Sequence, residues 1–173
     1  MTDTMNLKAI LEARERRVIY QQRLVEKYQN PLISFKLNIP GPKKDSLLYR
    51  RIFNNGLNLI KSLLKRNSVN IVFEDIIFKS TGPEGFLVVD GEAKYIKALC
   101  IEIEEKDGMG RIYDFDVIDA LGKPLVGETM GRKGRKCFLC DEYVWICART
   151  RRHSLEEMLS FIEETAKAYF KNK

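Results

Sequence analysis

The sequence predicts an α+β fold in which a small mixed or antiparallel sheet is flanked by helices. Segments with helical apolar periodicity and short alternating segments follow one another irregularly, without the regular alternation of a βαβ array. The chain has 173 residues, of which 45% are hydrophobic and 31% charged, which suits one compact globular domain. We therefore expect residues 1–173 to form a single domain, with 132–153 as a basic Cys/His-rich segment inside it.

The first third of the chain predicts a helix, a strand and a loop. Apolar residues recur at helical spacing over residues 7–28, and Asn30 and Pro31 close that helix. The segment LISFKLN alternates apolar and polar residues as a strand does. IPGPKKD, with two prolines and a glycine, is a loop.

The middle of the chain predicts a helix, a pair of strands and an ambiguous segment. Inward-facing apolar residues indicate a second helix over residues 46–65. NIVFEDIIFKS and FLVVD are predicted strands, with STGPEG as the turn between them. AKYIKALCIEIEEK contains the alternating CIEIE, but its Ala, Leu, Lys and Glu favour a helix.

The last third contains a strand and a terminal helix. GRIYDFDVIDALGK predicts a strand followed by a turn at LGKP. Ser154 and Glu157 form the S-x-x-E pattern of a capping box, and an apolar face follows them. A terminal helix therefore begins near residue 154.

Charge and composition limit the classes of function. Thirty Lys and Arg against 24 Asp and Glu give a net charge of +6, which indicates an anionic partner. The single histidine, His153, has no nucleophile-elbow sequence beside it, which argues against a Ser-His-Asp hydrolase. The apolar runs are too short to cross a bilayer, and the first residues lack the apolar core of a signal peptide. We expect a cytoplasmic protein.

Two carboxylates lie two residues apart in the predicted strand at residues 113–118. Side chains alternate along a strand, so Asp114 and Asp116 share one face, whereas Asp119 points to the other in an ideal strand. An edge strand facing water is one explanation. The other is a site for Mg²⁺ or Mn²⁺, which prefer carboxylates together with the phosphate oxygens of a substrate. Like charges side by side are destabilising unless something positive lies between them.

Basic residues surround a loop that precedes the second helix. Lys43, Lys44, Arg50 and Arg51 could bind phosphate there, helped by the free amides of a helix start. An ordinary N-cap at Asp45 or Ser46, and a solvated basic face, explain the same residues. The segment from Thr81 to Gly85, which includes Gly82 and Glu84, could line the same cleft or be only a turn.

Three cysteines and the only histidine lie close together near the C-terminus. Cys137, Cys140, Cys147 and His153 are ligand types that suit tetrahedral Zn²⁺ in a small knuckle. They could equally be small, partly buried apolar residues in a reducing compartment. Basic residues surround them and could contact several phosphates, contact a nucleic acid, or only keep the surface soluble: Arg132, Lys133, Arg135, Lys136, Arg149, Arg151 and Arg152. Cys100 lies outside the group and is expected in the core.

The motifs taken together resemble one family. Five segments are similar, in this order and over nearly the entire chain, to the holo-citrate lyase synthases: LEARERRVIYQQRLVEKY, PLISFKLNIPGPKKDSLLYRRIFNNGL, STGPEG, GRIYDFDVIDALGK and RKCFLCDEYVWICARTRRHSLEEM. These are also called apo-citrate lyase phosphoribosyl-dephospho-CoA transferases. The resemblance implies a nucleotidyltransferase-like enzyme. It would attach the prosthetic group from 2'-(5''-triphosphoribosyl)-3'-dephospho-CoA to a serine of the citrate lyase acyl-carrier (gamma) subunit, releasing pyrophosphate.

The resemblance places the family's aspartate pair, basic loop, Gly-Pro-Glu turn and Cys/His group on this chain, and we assign roles to particular residues from their chemistry. Asp114 and Asp116 would hold Mg²⁺ or Mn²⁺ and act in catalysis with Arg111. The Cys/His group would hold a structural Zn²⁺. The remaining candidates would bind the substrate through its phosphates: Lys44, Arg50, Arg51, Gly82, Glu84, Arg135, Arg149 and Arg152.

A non-catalytic, zinc-stabilised nucleic-acid-binding module is the main alternative. Few aromatic residues interleave with the basic segment, and such a module gains nothing from two aspartates on one strand face. A carrier-docking protein or chaperone without catalysis is a third interpretation.

Overall fold

The structure, a computed structural model, describes residues 2–127, 131 and 134–171. Its helices and strands follow one another along the chain in a mixed order. The helices are α1 (Thr2–Tyr28), α2 (Leu47–Arg66), α3 (Ala93–Lys106), α4 (Val144–Thr150) and α5 (Leu155–Lys171). The strands are β1 (Leu32–Leu37), β2 (Asn70–Lys79), β3 (Gly82–Asp90), β4 (Tyr113–Ile118) and β5 (Pro124–Leu125), with a 3₁₀ turn at Gly110–Ile112.

The strands form a five-stranded sheet with the order β2-β3-β1-β4-β5, and every pairing in it is antiparallel. The prediction of an α+β fold with a sheet and flanking helices is confirmed. Among the described helices, none combines the length and the apolar character that a membrane crossing requires.

Each face of the sheet is covered by different helices. On one face, Leu24 and Val25 of α1 pack against Leu32, Phe86 and Val88. On the other face, α2, α3 and α5 bury the main core, which includes the following residues of the sheet: Ile33, Phe35, Leu87, Phe115 and Val117. The alternation of side chains along each strand therefore decides which helices a residue meets.

The predicted elements are found with small shifts and one correction. Ser46 caps α2, since its side chain accepts a hydrogen bond from the amide of Tyr49. The ambiguous segment is α3, so its helix-favouring residues outweigh the local alternation. The turn predicted at STGPEG is wrong in extent: it is confined to Ser80 and Thr81, because GPEG pairs with β2 as the start of β3.

The terminal helix begins as predicted. Ser154 and Glu157 form the capping box, in which the Ser154 hydroxyl accepts from the Glu157 amide at 3.1 Å. The Ser154 amide donates to the Glu157 carboxylate at 2.7 Å. These two bonds satisfy backbone groups at the helix end that would otherwise lack a partner.

The outer edge of β4 is covered by two buried side chains of α3. Lys97 Nζ donates to the carbonyl of Phe115 at 2.8 Å, and Glu104 accepts from the Phe115 amide at 3.0 Å. Lys97 and Glu104 are only 5% and 4% exposed to solvent, respectively. They take the place of a neighbouring strand at a position that β5 does not reach, because β5 pairs only with Val117 and Ile118.

Candidate functional site

The aspartate pair lies on the face of β4 that is covered by α1. In the register with β1, Asp114 lies opposite Lys36 and Asp116 opposite Ser34. Phe115 lies between them on the other face and is fully buried. The packing of the apolar face therefore holds both carboxylates on one side of the sheet.

Lys36 supplies the positive charge that the aspartate pair requires. Its Nζ donates to Asp114 Oδ2 and lies 3.3 Å from Asp116 Oδ2. Arg135 adds a second cation, with Nη2 3.0 Å from Asp114 Oδ1. Burial acts to raise the pKa of Asp114, but the charges of Lys36 and Arg135 outweigh it and hold that pKa below its usual value.

The two carboxylates differ in accessibility. The side chain of Asp116 is 52% exposed and that of Asp114 is 21% exposed. Asp114 is thus fixed by two cations, whereas Asp116 keeps oxygen lone pairs that solvent or a ligand can reach.

A cavity of about 440 Å³ opens beside the aspartates, between α1 and the sheet; we call it the aspartate cavity. Four cationic side chains line it: Arg14, Arg17, Lys36 and Lys44. Thr81 also lines it, and its buried hydroxyl has no hydrogen-bond partner among the described residues. The arrangement suits an anionic ligand that bears hydrogen-bond acceptors.

The Gly-Pro-Glu segment lines the same cavity. Glu84 is buried and pairs with Arg17 of α1, with Nε and Oε1 2.9 Å apart. Gly82 has a φ of +106°, and a β-carbon on it would lie 3.2 Å from the carbonyl oxygen of Lys44. A residue with a side chain would be strained there, so Gly82 allows the loop carrying Lys44 to approach β3.

Lys44 is the member of the predicted basic loop that lines the aspartate cavity. Its Nζ donates to the carbonyl of Ile39, and burial lowers its pKa. Desolvation disfavours the charged form of a lysine, so an anion placed beside Lys44 would stabilise that charged form.

Arg50 and Arg51 do not line the cavity. Arg50 forms a bidentate pair with Asp45, at 2.6 and 2.8 Å. Arg51 stacks on Phe170 of α5, with its guanidinium carbon 4.0 Å from the ring centroid. α2 packs on the sheet face opposite the aspartates, which explains why the helix carries Arg51 away from them.

The other predicted arginines divide into two groups. Arg135 joins the aspartate pair and also contacts Glu104, with Nη2 and Oε1 2.7 Å apart. Arg111 donates to the carbonyl of Cys137 at 2.7 Å and so joins the 3₁₀ turn to the Cys/His segment. Arg149 and Arg152 are exposed and do not line the aspartate cavity. Arg132 and Lys133 lie outside the described residues.

The glycine before β4 has a steric role. A β-carbon on Gly110 would lie 2.4 Å from the backbone oxygen of Glu104. The 3₁₀ turn therefore packs directly on the backbone of α3, as a glycine in this position allows.

The three cysteines and the histidine are brought together. The ligand atoms of Cys137, Cys140, Cys147 and His153 all lie within 4.8 Å of one another. Cys140 Sγ lies 3.4 Å from Cys147 Sγ and 3.3 Å from His153 Nε2. This Cys₃His cluster could hold a metal such as zinc. Cys100 is separate from it and fully buried in the main core.

The thiols of the cluster differ in acidity. Burial acts to raise the pKa of Cys137, but hydrogen bonds from the amides of Leu139 and Cys140 outweigh it and lower that pKa. Burial and the neighbouring cysteines raise the pKa of Cys147 to about 12. A metal would have to displace the proton of Cys147, since only thiolates are strong ligands.

Several residues of the aspartate cavity are missed by sequence reasoning. Arg14, Arg17 and Gln21 recur every three or four residues on one face of α1, and Lys36 follows Ser34 on the polar face of β1. Both spacings are visible in the sequence. Nothing local indicates, however, that α1 covers the same face of the sheet as the aspartates.

Relatives that cover most of this chain share one transferase name. A relative from Citrobacter koseri is 32% identical over 159 residues, which is 92% of this chain and 87% of the relative. Relatives from Escherichia coli O1:K1 and Shigella boydii serotype 18 are each 31% identical over the same shares. All three are named apo-citrate lyase phosphoribosyl-dephospho-CoA transferase, which indicates a transferase enzyme.

The family match covers almost the whole chain. The sequence model described as apo-citrate lyase phosphoribosyl-dephospho-CoA transferase matches residues 5–169. The protein belongs to this family.

Proposed function

We propose that the protein transfers the phosphoribosyl-dephospho-CoA group of 2'-(5''-triphosphoribosyl)-3'-dephospho-CoA to a serine of the citrate lyase acyl-carrier (gamma) subunit, with release of pyrophosphate. One observation carries the proposal. Two carboxylates on a fixed strand face lie at the wall of a cavity lined by cations. That combination serves the transfer of a phosphorylated group, and the family supplies the substrate and the acceptor.

The cations of the aspartate cavity are suited to the triphosphate. Lys36 on β1 and Lys44 in the loop that follows it both line the cavity with Arg14 of α1. Arg17 is already paired with Glu84 and instead fixes the position of α1 over the sheet. We assign phosphate binding to Lys36, Lys44 and Arg14 because fixed cations neutralise charge that the leaving pyrophosphate retains.

Asp114 and Asp116 are suited to a hard divalent cation. Their oxygens share one face beside a cavity, and the Nζ of Lys36 lies close to both carboxylates, where the pair attracts positive charge. We propose that Mg²⁺ or Mn²⁺ is held there with phosphate oxygens of the substrate. The ion would supply charge neutralisation on the triphosphate and the orientation of its α-phosphorus.

The reaction itself is a nucleotidyl-type substitution. The serine oxygen of the carrier forms a bond to the α-phosphorus and loses its proton to solvent, while the bond from that phosphorus to the bridging oxygen breaks and pyrophosphate leaves. Lys36, freed from the aspartates by the cation, would bind the phosphates that depart. The nucleophile belongs to the partner, so a Ser-His pair in this chain is unnecessary.

We propose that the Cys₃His cluster holds a structural zinc. The cluster lies in the same segment as Arg135, which contacts both Asp114 and Glu104. By ordering residues 134–153, a metal would keep the guanidinium of Arg135 against the catalytic carboxylate.

Mass spectrometry of the acyl-carrier subunit tests the function. We expect the carrier mass to increase by the phosphoribosyl-dephospho-CoA group after incubation with the protein, Mg²⁺ and the precursor. Asp116→Asn should slow transfer by at least about a hundredfold, because it removes a carboxylate ligand of the divalent cation that would bind the reacting phosphate. Asp90→Asn, at an exposed end of β3, is the matched control and should transfer normally.

Two results would contradict the proposal. A carrier that gains no mass with the unaltered protein excludes the activity. An Asp116→Asn protein that modifies the carrier at the original rate excludes the role of the aspartate pair.

A further inference from the structure

A second cavity of about 410 Å³ lies beside the aspartate cavity; we call it the adjacent cavity. It is enclosed by the end of α3, the 3₁₀ turn, the Cys/His segment and α5. Met109 and Ile112 form a floor that is almost completely buried. The rings of Phe138 and Phe161 form a wall, with their centroids 6.2 Å apart and their planes within 29° of each other.

The polar groups of the adjacent cavity are also informative. Arg111, Arg135 and Lys136 place three cations along it, and Glu104, Glu105 and Asp107 add three carboxylates to its lining. Of these carboxylates, Glu104 is already paired with Arg135. Flat apolar walls suit a heteroaromatic ring, carboxylates suit an exocyclic amino group, and cations suit phosphates. A volume of this size is within the usual range of small-ligand sites.

The two cavities are neighbours with shared walls. Asn38 lines both of them. Arg135 lines the adjacent cavity and contacts Asp114 in the aspartate cavity at 3.0 Å. A ligand with a triphosphate at one end and an adenine nucleotide at the other could therefore occupy both, with Arg135 between the two parts.

We propose that the adjacent cavity binds the adenosine diphosphate portion of the dephospho-CoA moiety. This assignment rests on the proposed function, since it takes the precursor as the ligand. A single ribose joins the triphosphate of the precursor to its adenosine. With the triphosphate in the aspartate cavity, the adenine contacts the rings of Phe138 and Phe161. The diphosphate of the adenosine then lies beside Arg111 and Lys136.

The experiment measures binding to the full chain by calorimetry with two separate probes, dephospho-CoA and inorganic triphosphate. Thr165→Trp on α5 introduces an indole into the adjacent cavity, and Val18→Trp on α1 introduces the same side chain into the aspartate cavity. The two variants are matched because both replace a β-branched helical residue at a cavity wall.

The expected results are opposite for the two probes. Thr165→Trp should weaken dephospho-CoA binding by at least about tenfold and leave triphosphate binding within about twofold. Val18→Trp should show the reverse pattern. Lys136→Ala, an exposed substitution, is the second variant in case Thr165→Trp does not fold, and it should weaken dephospho-CoA binding by about threefold or more.

The assignment is overturned if dephospho-CoA does not bind to the unaltered protein, or if a folded Thr165→Trp protein binds it as before. It is also overturned if only Val18→Trp weakens dephospho-CoA binding. A failure of this assignment can be told apart from a failure of the proposed transfer. The assignment is tested by dephospho-CoA binding, whereas the transfer is tested by carrier modification with the unaltered and Asp116→Asn proteins.

Discussion

The aspartate pair and the Cys₃His cluster are both groups of like side chains, but the fold holds them in different ways. Asp114 and Asp116 are placed by strand register, with buried aromatic residues beneath them and Lys36 between them. The cysteines and His153 come from a segment whose described regular structure is the seven-residue helix α4. The first site is thus held by the packing of the core, whereas the second requires an additional interaction, such as a bound metal, to hold its side chains together.

The largest expected effect is the loss of zinc from the Cys₃His cluster when one of its ligands is replaced. We expect about one zinc per purified chain, and Cys140→Ser should lower zinc affinity by at least about a hundredfold because it removes a direct ligand. Residues 134–153 should then lose hydrogen-exchange protection while β1 and β4 keep theirs. Elemental analysis and hydrogen exchange measure the two quantities.

Cys100→Ala is the control for this prediction, because Cys100 is a buried cysteine outside the cluster. It should retain the metal. If the metal-free protein kept its hydrogen-exchange protection over residues 134–153, the Cys₃His cluster would need no metal to stay ordered, and the proposed difference from the aspartate pair would be wrong.

The next effect concerns the stability of the first site. Asp114→Asn should lower the free energy of unfolding by about 2 kcal/mol, since it removes the carboxylate that pairs with both Lys36 and Arg135 in a largely buried place and leaves each cation with one carboxylate partner, Asp116 or Glu104. Asp116→Asn should cost less than about 1 kcal/mol, because that side chain is half exposed. Urea unfolding measures both, and equal losses would show that the burial difference has no energetic role.

The third effect is the pH dependence that belongs to Asp114. Its pKa in the folded protein lies below the usual value, so its stabilising contribution is complete above pH ~4, the ordinary carboxyl range. That contribution is lost as pH falls through the lowered pKa. The stability gap between the unaltered protein and Asp114→Asn should therefore shrink below pH ~4. A gap that is constant from neutral to strongly acidic pH would contradict the ion pair.

The smallest effect tests whether the helix cap supports the Cys₃His cluster. Ser154→Ala removes the capping box directly after His153 and should cost about 1 kcal/mol of unfolding free energy while zinc content stays the same. Ser160→Ala, on the exposed side of α5, is the matched control and should change stability by less than about 0.5 kcal/mol. Zinc loss in Ser154→Ala alone would mean that the cap, and not only the ligands, holds the cluster.

Local rules predict the elements well because they depend on neighbouring residues. The capping box at Ser154 and the shared face of Asp114 and Asp116 both follow from the spacing of a few residues. The turn predicted at STGPEG is too broad because Gly and Pro favour turns locally, whereas pairing with β2 extends β3 as far as Gly82.

Long-range packing explains what sequence reasoning misses in the site. Arg51 is close to Lys44 along the chain and is predicted to act with it, but α2 lies on the opposite face of the sheet. Lys36 faces the aspartates without any local signal, because the partner of a strand residue is set by register with a distant strand. The choice of face by each helix and the pairing of β1 with β4 are properties of the whole fold.

Under the proposed function, the closed edge of β4 would limit how a carrier can present its serine. Lys97 and Glu104 occupy the backbone groups of Phe115 on that edge, so an incoming peptide cannot extend the sheet at the aspartates. The proposed acceptor would then approach over the face of the strand, where its hydroxyl would contact side chains and not the strand backbone. Selectivity for one partner would then depend on the outline and charge of the cavity mouth, and an unstructured serine peptide should be a poor substitute for the folded carrier.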